Sequence, residues 1–263
     1  MKLDGKTAVI TGGAMGIGKG IVEVYLKYGA NVIILDYNEA LTNTLTELNA
    51  KYPNKINGFI VDIRSKEVLE ACAKEIEKRF GHIDILVNNA GVCKLETFEN
   101  MNDETRDFHF DININGTWNV TKIFLPLIRK TGKGAIINLS SVTGPMVADS
   151  GEVAYATSKG AVLAFTKGLA MEVVKDNIRV NAIMPGYVKT PLVDNMAILS
   201  NKENPNSVVD GIAAAIPMKR LADPKEIGEL AAFLGSEESS YITGQGIVID
   251  GGSTLPETNS MGV

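Results

Sequence analysis

Short apolar runs alternate along this chain with longer stretches of helical periodicity, and that alternation limits the possible folds more than any other feature. The runs are TAVIT at 7–11, NVIILD at 31–36, GFIVD at 58–62, IDILVNNAG at 83–91, GAIINLS at 134–140, IRVNAIM at 178–184 and GIVIDGG at 246–252. The first is followed by Ile17, Ile21, Val24 and Tyr28, spaced to share one helix face. Similar patterns predict helices near 39–51, 66–80, 103–130, 153–174 and 224–234. Because the runs are nearly continuous rather than alternating, each strand must be covered on both faces, as in a parallel sheet. The predicted fold class is α/β: a single-domain, doubly wound parallel sheet of about seven strands with helices on both faces, spanning residues 1–263.

The pattern breaks between 185 and 217. Polar NKENPNS at 201–207 separates a segment carrying Leu192, Val193, Met196, Ile198 and Leu199 from one carrying Val208, Val209 and Ile212. Structureless connections beyond about 12–15 residues are uncommon inside compact domains and are often lids. The stretch at about 186–217 is therefore expected to be a substrate-binding lid, a plain surface loop being the alternative. No linker, repeat or second domain is visible.

Composition excludes several partners. The net charge is −5 and no basic cluster of the kind that holds phosphate backbones is present, so no nucleic-acid partner is expected. No apolar run approaches the roughly 18 residues of a membrane span, and the start MKLDGKTAVITGG has no signal-peptide core. Cys72 and Cys93 are too few for a disulfide framework, which points to a reducing compartment, and a cytoplasmic location is expected.

The segment TGGAMGIG at 11–18 closes the first strand and opens the first helix, placing Gly12, Gly16 and Gly18 where backbone N–H groups and the helix dipole favour an anion. Its spacing is G-x-x-x-G-x-G rather than the commoner G-x-G-x-x-G. Asp36, at the end of the second strand, stands eighteen residues beyond Gly18, near the roughly 20-residue offset of an acid that binds adenosine ribose hydroxyls in a Rossmann-like fold. Tyr155 and Lys159, in YATSK, lie one helical turn apart on one face. A neighbouring ammonium favours a phenolate and so lowers a tyrosine pKa, although most such pairs are plain surface pairs.

Taken together, these motifs make the chain resemble the short-chain dehydrogenase/reductase family over essentially its whole length. The matching segments are TGGAMGIG, Asp62, NNAG at 88–91, NING at 113–116, Ser140–Ser141, YATSK, PGYVKTP at 185–191 and DGG at 250–252. The branch it looks most like is that of the UcpA-like oxidoreductases, judged by VTGPMVAD at 142–149, IPMKRLADP at 216–224 and DGGSTLPET at 250–258.

The resemblance implies an NAD-dependent enzyme acting on a small-molecule secondary alcohol or ketone, with catalytic residues Asn113, Ser141, Tyr155 and Lys159. Tyr155 would exchange a proton with the substrate oxygen. Lys159 would hold the nicotinamide ribose and lower the tyrosine pKa, Ser141 would donate to the substrate oxygen, and Asn113 would organise a water chain. Cofactor contacts are implied for Gly12, Met15, Gly16, Ile17, Gly18, Asp36, Asp62, Ile63, Asn89, Ala90, Gly91, Tyr155, Lys159, Pro185, Gly186, Val188 and Thr190. Among these, Asp62 would meet the adenine, Asn89 the adenosine side, and Thr190 the carboxamide or pyrophosphate. Asn88 and Asn181 are read at least equally well as backbone hydrogen-bonders between strands. The resemblance also implies a homotetramer, which the weakly charged helix at 162–174 supports. The tail, with Leu255, Pro256 and Met261, is either a contact to a neighbouring subunit or a frayed end.

The fourteen positions from Ser141 to Tyr155 are one more than the family's usual interval, so the loop at 143–154 is expected to bulge. Ser140 is the fallback should that shift the register. His82 and His109 have no nucleophile in a recognisable elbow and are expected to be structural. Cys93 is given no catalysis, and no metal is expected. The substrate pocket is expected to be largely apolar, lined by Val92, Met146, Val147, Tyr187, Leu192 and Met196, which leans toward a bulky apolar substrate such as a hydroxysteroid. An acyl-carrier ketoreductase and a non-catalytic dinucleotide-binding sensor or scaffold remain the alternatives.

Overall fold

The computed structural model describes residues 1–256. Seven parallel strands form one sheet: β1 (Thr7–Thr11), β2 (Asn31–Asp36), β3 (Ile56–Ile60), β4 (Ile85–Asn88), β5 (Gly134–Leu139), β6 (Ile178–Pro185) and β7 (Gly246–Ile249), in the order β3-β2-β1-β4-β5-β6-β7. The order reverses direction between β1 and β4, and in such sheets ligands bind beyond the carboxyl ends of the strands at that point. β3 starts two residues earlier than its apolar run, and β4 is shorter than the run at 83–91 because Asn89, Ala90 and Gly91 leave the sheet.

Neighbouring strand residues face opposite ways and both are buried. Ile10, Ile34, Val87, Ile137 and Ile183 pack on one face with Ile21, Val24 and Tyr25 of helix α1 (Gly16–Lys27) and Ile227 and Ala231 of the late helix at Pro224–Gly235. Val9, Ile33, Leu35, Leu86, Ile136 and Val180 pack on the other with Leu69, Ile76, Phe124 and Leu127. Burying each of these large side chains contributes roughly 1.5–3 kcal/mol, and this double coverage is why the strands read as unbroken apolar runs. α1 crosses the late helix very closely: a Cβ on Gly20 would sit 2.5 Å from the Pro224 backbone, and the Tyr25 hydroxyl donates to Ala231 O at 3.0 Å.

The remaining helices are α2 (Ala40–Lys51), α3 (Lys66–Phe80), α4 (Asp103–His109), α5 (Thr117–Arg129), α6 (Val153–Val173), α7 (Pro191–Ser200), α8 (Pro205–Ala215) and α9, the late helix at Pro224–Gly235. Two departures from the sequence expectation bear on function. The single helix expected at 103–130 is interrupted: a π-helical segment, Phe110–Gly116, joins α4 to α5, and Asn113 is buried within it. A Cβ on Gly116 would lie 2.5 Å from Ile63, so only glycine allows this approach, which apolar periodicity cannot report. The irregular stretch at 186–217 contains two helices, α7 and α8. Each opens on a proline in its first turn, and Asn204 Oδ1 accepts from Ser207 N at 3.3 Å. Among the described residues no helix is long and apolar enough to cross a membrane. Met261, expected either to reach a neighbouring subunit or to fray with the tail, lies outside the described residues.

Candidate active site

The glycine turn follows β1 directly. Gly12 and Gly16 have φ of +67° and +54°, and a Cβ on Gly18 would lie 1.9 Å from Gly12 O, so the turn can be this tight only with glycine. Asp36 ties it to β2: its Oδ2 accepts from Ala14 N and its Oδ1 from Asn38 N, both at 2.8 Å. Asn89 ties it to β4, with Nδ2 donating to Thr11 O at 3.0 Å and Gly12 O at 2.9 Å. The N–H groups of Asn89 and Ala90 both donate to Thr11 Oγ1 at 3.0 Å. Asn89 therefore shapes the turn.

The N-terminus of α1 behind this turn has no side-chain cap at Met15 and no acid in its first turn, with Ile17 and Gly18 just inside it. Its backbone donors and positive dipole end are left for an anion, the arrangement a dinucleotide pyrophosphate requires. A nicotinamide dinucleotide fits these residues. On the rim, Asp62 is gripped by Arg64, whose Nε and Nη2 donate at 3.0 and 2.6 Å, and this holds its carboxyl below the usual range. Buried Ile63 packs on Gly116.

The other wall comes from β5, α6 and the π-helical segment. Asn113 Oδ1 accepts from Val92 N at 2.8 Å, while its Nδ2 donates to Val92 O at 3.0 Å and Ser158 Oγ at 2.9 Å. A Cβ on Gly91 would stand 3.3 Å from both Asn113 Oδ1 and Lys159 Nζ, so those two groups flank one point. Lys159 Nζ donates to Leu139 O at 2.8 Å and sits 5.6 Å from the Tyr155 ring centroid. Ser141 Oγ donates to Pro185 O at 3.5 Å and accepts from Thr143 N at 3.1 Å, and its hydroxyl stands beside Tyr155. Ser140 turns the other way, its Oγ donating to Lys159 O at 2.8 Å.

The additional residue before Tyr155 is absorbed between Thr143 and Gly151. Thr143 bridges Val147, Gly144 has φ +100° and Gly151 φ +85°. A Cβ on Gly144 would lie 2.2 Å from Ala156 O, so the bulge packs hard against α6.

Electrostatics here differ from the sequence expectation. Burial raises the Tyr155 phenol above its ordinary value, with Cys93 and Glu152 adding to the rise and the neighbouring Ser141 hydroxyl opposing it. Burial likewise lowers Lys159 to about 8. In the chain alone, then, the lysine does not lower the tyrosine, because desolvation outweighs it and Nζ faces a carbonyl.

The segment leaving β6 completes the site. Pro185 O accepts from Val142 N at 3.1 Å, Gly186 N donates to Ile249 O at 3.0 Å, and Val188 bridges Ala222. Thr190 is buried with its Cγ2 3.4 Å from a Cβ placed on Gly16, which brings this segment against the glycine turn. Of the expected pocket lining, Met146, Val147 and Leu192 are exposed, and Val92, Tyr187 and Met196 are half-buried. Cavities of about 340 and 570 Å³ lie along β7 and the segment after it, and neither touches Tyr155 or Lys159.

Several side chains prove structural. Asn88 Nδ2 donates to Thr121 Oγ1 at 2.9 Å and Asn138 Oδ1 at 2.8 Å, so it joins buried side chains rather than strand backbones. Asn181 does bond backbone, donating to Ile242 O at 2.8 Å and accepting from Gln245 N at 3.1 Å. His109 is fully buried; its Nε2 accepts from Lys94 N at 2.9 Å, so Nδ1 carries the proton donated to Thr105 O at 2.7 Å. Sequence reasoning missed Ala14, Ser158 and Glu152. None left a signal of its own: Glu152, at the N-cap of α6, reads as an ordinary acid at the start of a helix.

The chain is similar to known proteins over nearly its whole length. Residues 12–254 match the family model described as enoyl-(acyl carrier protein) reductase. The chain is 53% identical over 262 residues to oxidoreductase UcpA of Escherichia coli K12, covering 100% of this chain and 99% of that one. It is 34% identical to the 3-oxoacyl-[acyl-carrier-protein] reductase FabG of Thermotoga maritima, covering 97% of this chain and 100% of the relative. Among solved structures, L-sorbose reductase of Gluconobacter frateurii complexed with NADPH and L-sorbose superposes with a TM-score of 0.91 at 33% identity, covering 97% and 100% of the two chains.

Proposed function

Since the chain belongs to the short-chain dehydrogenase/reductase family, oxidoreductases of CH–OH and keto groups, we propose that it is an NAD-preferring enzyme of a secondary alcohol or ketone with Tyr155 as its proton carrier. The observation that carries this reading is that Asn113 and Lys159 flank one point at Gly91 with Tyr155 one helical turn from Lys159, while the end of α1 behind the glycine turn is left uncapped. The bound nicotinamide supplies or accepts the hydride. Ser141 donates to the substrate oxygen and Tyr155 exchanges its proton with that oxygen. Lys159 holds the nicotinamide ribose, and Asn113, fastened to Val92 and Ser158, keeps the wall beside Lys159 in place and organises the water chain. Gly12, Met15, Gly16, Ile17 and Gly18 carry the pyrophosphate, and Asp62, Ile63, Asn89, Ala90 and Gly91 line the adenosine side. Pro185, Gly186, Val188 and Thr190 close over the nicotinamide end, with 186–217 as the lid.

Asp36 supports NAD over NADP. Each of its oxygens takes one backbone N–H and keeps a lone pair for a ribose hydroxyl, whereas a 2′-phosphate would meet a buried carboxylate. At about 4 Å two like charges repel by roughly 4 kcal/mol at an effective dielectric near 20. The nearby Arg64 is already committed to Asp62. NADPH is bound by the sorbose reductase relative, so cofactor choice rests on this chain's own residues.

Exposed Met146, Val147 and Leu192 support a substrate with a bulky apolar portion, such as a hydroxysteroid. An apolar surface shared by α5 and α6, with Trp118 5.3 Å from Phe165 and Met171 exposed, supports a homotetramer. Two free thiols support a cytoplasmic location. The test is a panel of alcohols, diols, sugars and hydroxysteroids with NAD+ and NADP+, followed by nicotinamide absorbance for wild type and Tyr155→Phe. Turnover with NAD+ that falls about 10²- to 10⁴-fold in the variant, with NADH still bound, supports the reading. Flat traces with tight NADH binding would instead indicate a dinucleotide-binding scaffold.

A further inference from the structure

Glu152 is a buried carboxylate that the mechanism above does not use. It is 8% exposed, and its Oε2 is buried without a hydrogen-bond partner. It occupies the N-cap of α6, where the helix dipole favours an acid, yet its side chain accepts no capping bond. The dipole accounts for an acid at this place but not for an unsatisfied oxygen, because a capping carboxylate would turn back onto the first N–H groups. The side chain lies instead among Asp149, Thr143, Tyr155, Tyr187 and Cys93.

Three residues separate Glu152 from Tyr155, so both side chains leave the same face of α6, with Cβ atoms about 5–6 Å apart. A second acid stands behind it: the Tyr187 hydroxyl lies 3.4 Å from Asp149 Oδ2. Burial, and then Asp149, raise the carboxyl pKa, and the neighbouring Thr143 offsets only part of the rise. A group that donates a hydrogen bond would satisfy the free oxygen, and a cation would also offset two neighbouring acids.

We propose that Glu152, backed by Asp149, is a substrate-specificity residue whose free oxygen accepts a hydrogen bond from a hydroxyl or protonated amine carried on the carbon next to the reacting one. This rests on the oxidoreductase reading and narrows it. The enzyme selects vicinal diols or amino alcohols, and the corresponding hydroxy- or aminoketones, over plain alcohols of the same size. The apolar residues around the mouth hold the rest of the substrate.

Cyclohexane-1,2-diol, 2-aminocyclohexanol and cyclohexanol, each offered with NAD+, provide the test. Wild type is expected to favour at least one donor-bearing alcohol over cyclohexanol by at least about tenfold in kcat/KM, since a site built for a donor rejects the analogue lacking it. Glu152→Leu should collapse that ratio toward unity. Glu152→Gln keeps a neutral acceptor: it should preserve a preference for the diol and abolish one for the amine, which separates the two donors. Because the native side chain makes no cap, neither substitution removes one, and agreement between the two variants guards against a folding defect. Wild-type ratios near unity, or a preference that survives in Glu152→Leu, overturn the proposal. If none of the three alcohols is oxidised, the subsite is judged by calorimetric dissociation constants of the same three alcohols for the NADH complex, and the hydride-transfer reading itself fails only if the wider panel is flat as well. Equal constants there overturn it as well.

Discussion

Replacing Lys159 with methionine should change how stability depends on pH, and the size of the change follows from the burial of one ammonium. Lys159 donates to Leu139 O at 2.8 Å, and burial lowers its pKa from 10.5 to about 8. The unfolded lysine keeps its proton up to about 10.5, so between those two values the unfolded chain binds more protons and folding becomes more favourable as pH rises. The cost of burying the charge is fully present below pH 8 and gone above the unfolded value. Integrating the linkage for one such group from pH 7 to pH 10 gives about 2.5 kcal/mol.

Lys159→Met removes the titration and loses the Leu139 bond at both pH values, so the bond cancels in the comparison. Cys72, held up to about 12 by burial, titrates alike in both proteins; Cys93, also held up to about 12, is lowered a little by Lys159 itself and so adds a small part to the difference. Urea unfolding of cofactor-free wild type and variant at pH 7 and pH 10 reads the difference directly. Relative to the variant, wild type should gain about 2.5 kcal/mol across that range. A gap that stays constant within about 0.5 kcal/mol would refute the reasoning, because the lysine would then be charged in the folded chain throughout.

Asp36→Ala should cut kcat/KM with NAD more than with NADP and narrow an NAD preference of about tenfold or more, equivalent to 1.4 kcal/mol; equal efficiency of the two cofactors with wild type would refute the assignment of Asp36. Gly18→Ala drives a Cβ to 1.9 Å from Gly12 O and should abolish NADH binding and lower Tm, whereas Gly211→Ala, with nothing within 4 Å, should stabilise α8 by about 0.5–1 kcal/mol. Calorimetry of both variants checks the contrast, which a bound cofactor in Gly18→Ala would break. Sedimentation at micromolar protein should show a tetramer, and a stable monomer would remove the association assigned to Trp118, Phe165 and Met171.

The sequence by itself determined the layer architecture, the strand and helix alternation, the glycine turn and the positions of Asp36, Ser141, Tyr155 and Lys159. Those features are local: an apolar run covered on both faces, a helix with one buried stripe and a turn requiring positive φ all leave their marks within a few residues. Tertiary structure decided what depends on distant segments meeting. The π-helical segment exists where Gly116 reaches Ile63, fifty-three positions away in the chain, and Asn113 meets Val92 and Ser158 only through it. Asn89 reads in the sequence as a cofactor contact, and only packing shows that it also braces the glycine turn. The pair Tyr155 and Lys159 suggests a lowered tyrosine pKa, but the pKa follows burial, and burial is set by how α6 packs within the whole fold. Glu152 was silent for the same reason. One carboxylate at the start of a helix is ordinary in a sequence, and only the surrounding fold leaves one of its oxygens buried and unpartnered beside the reacting site.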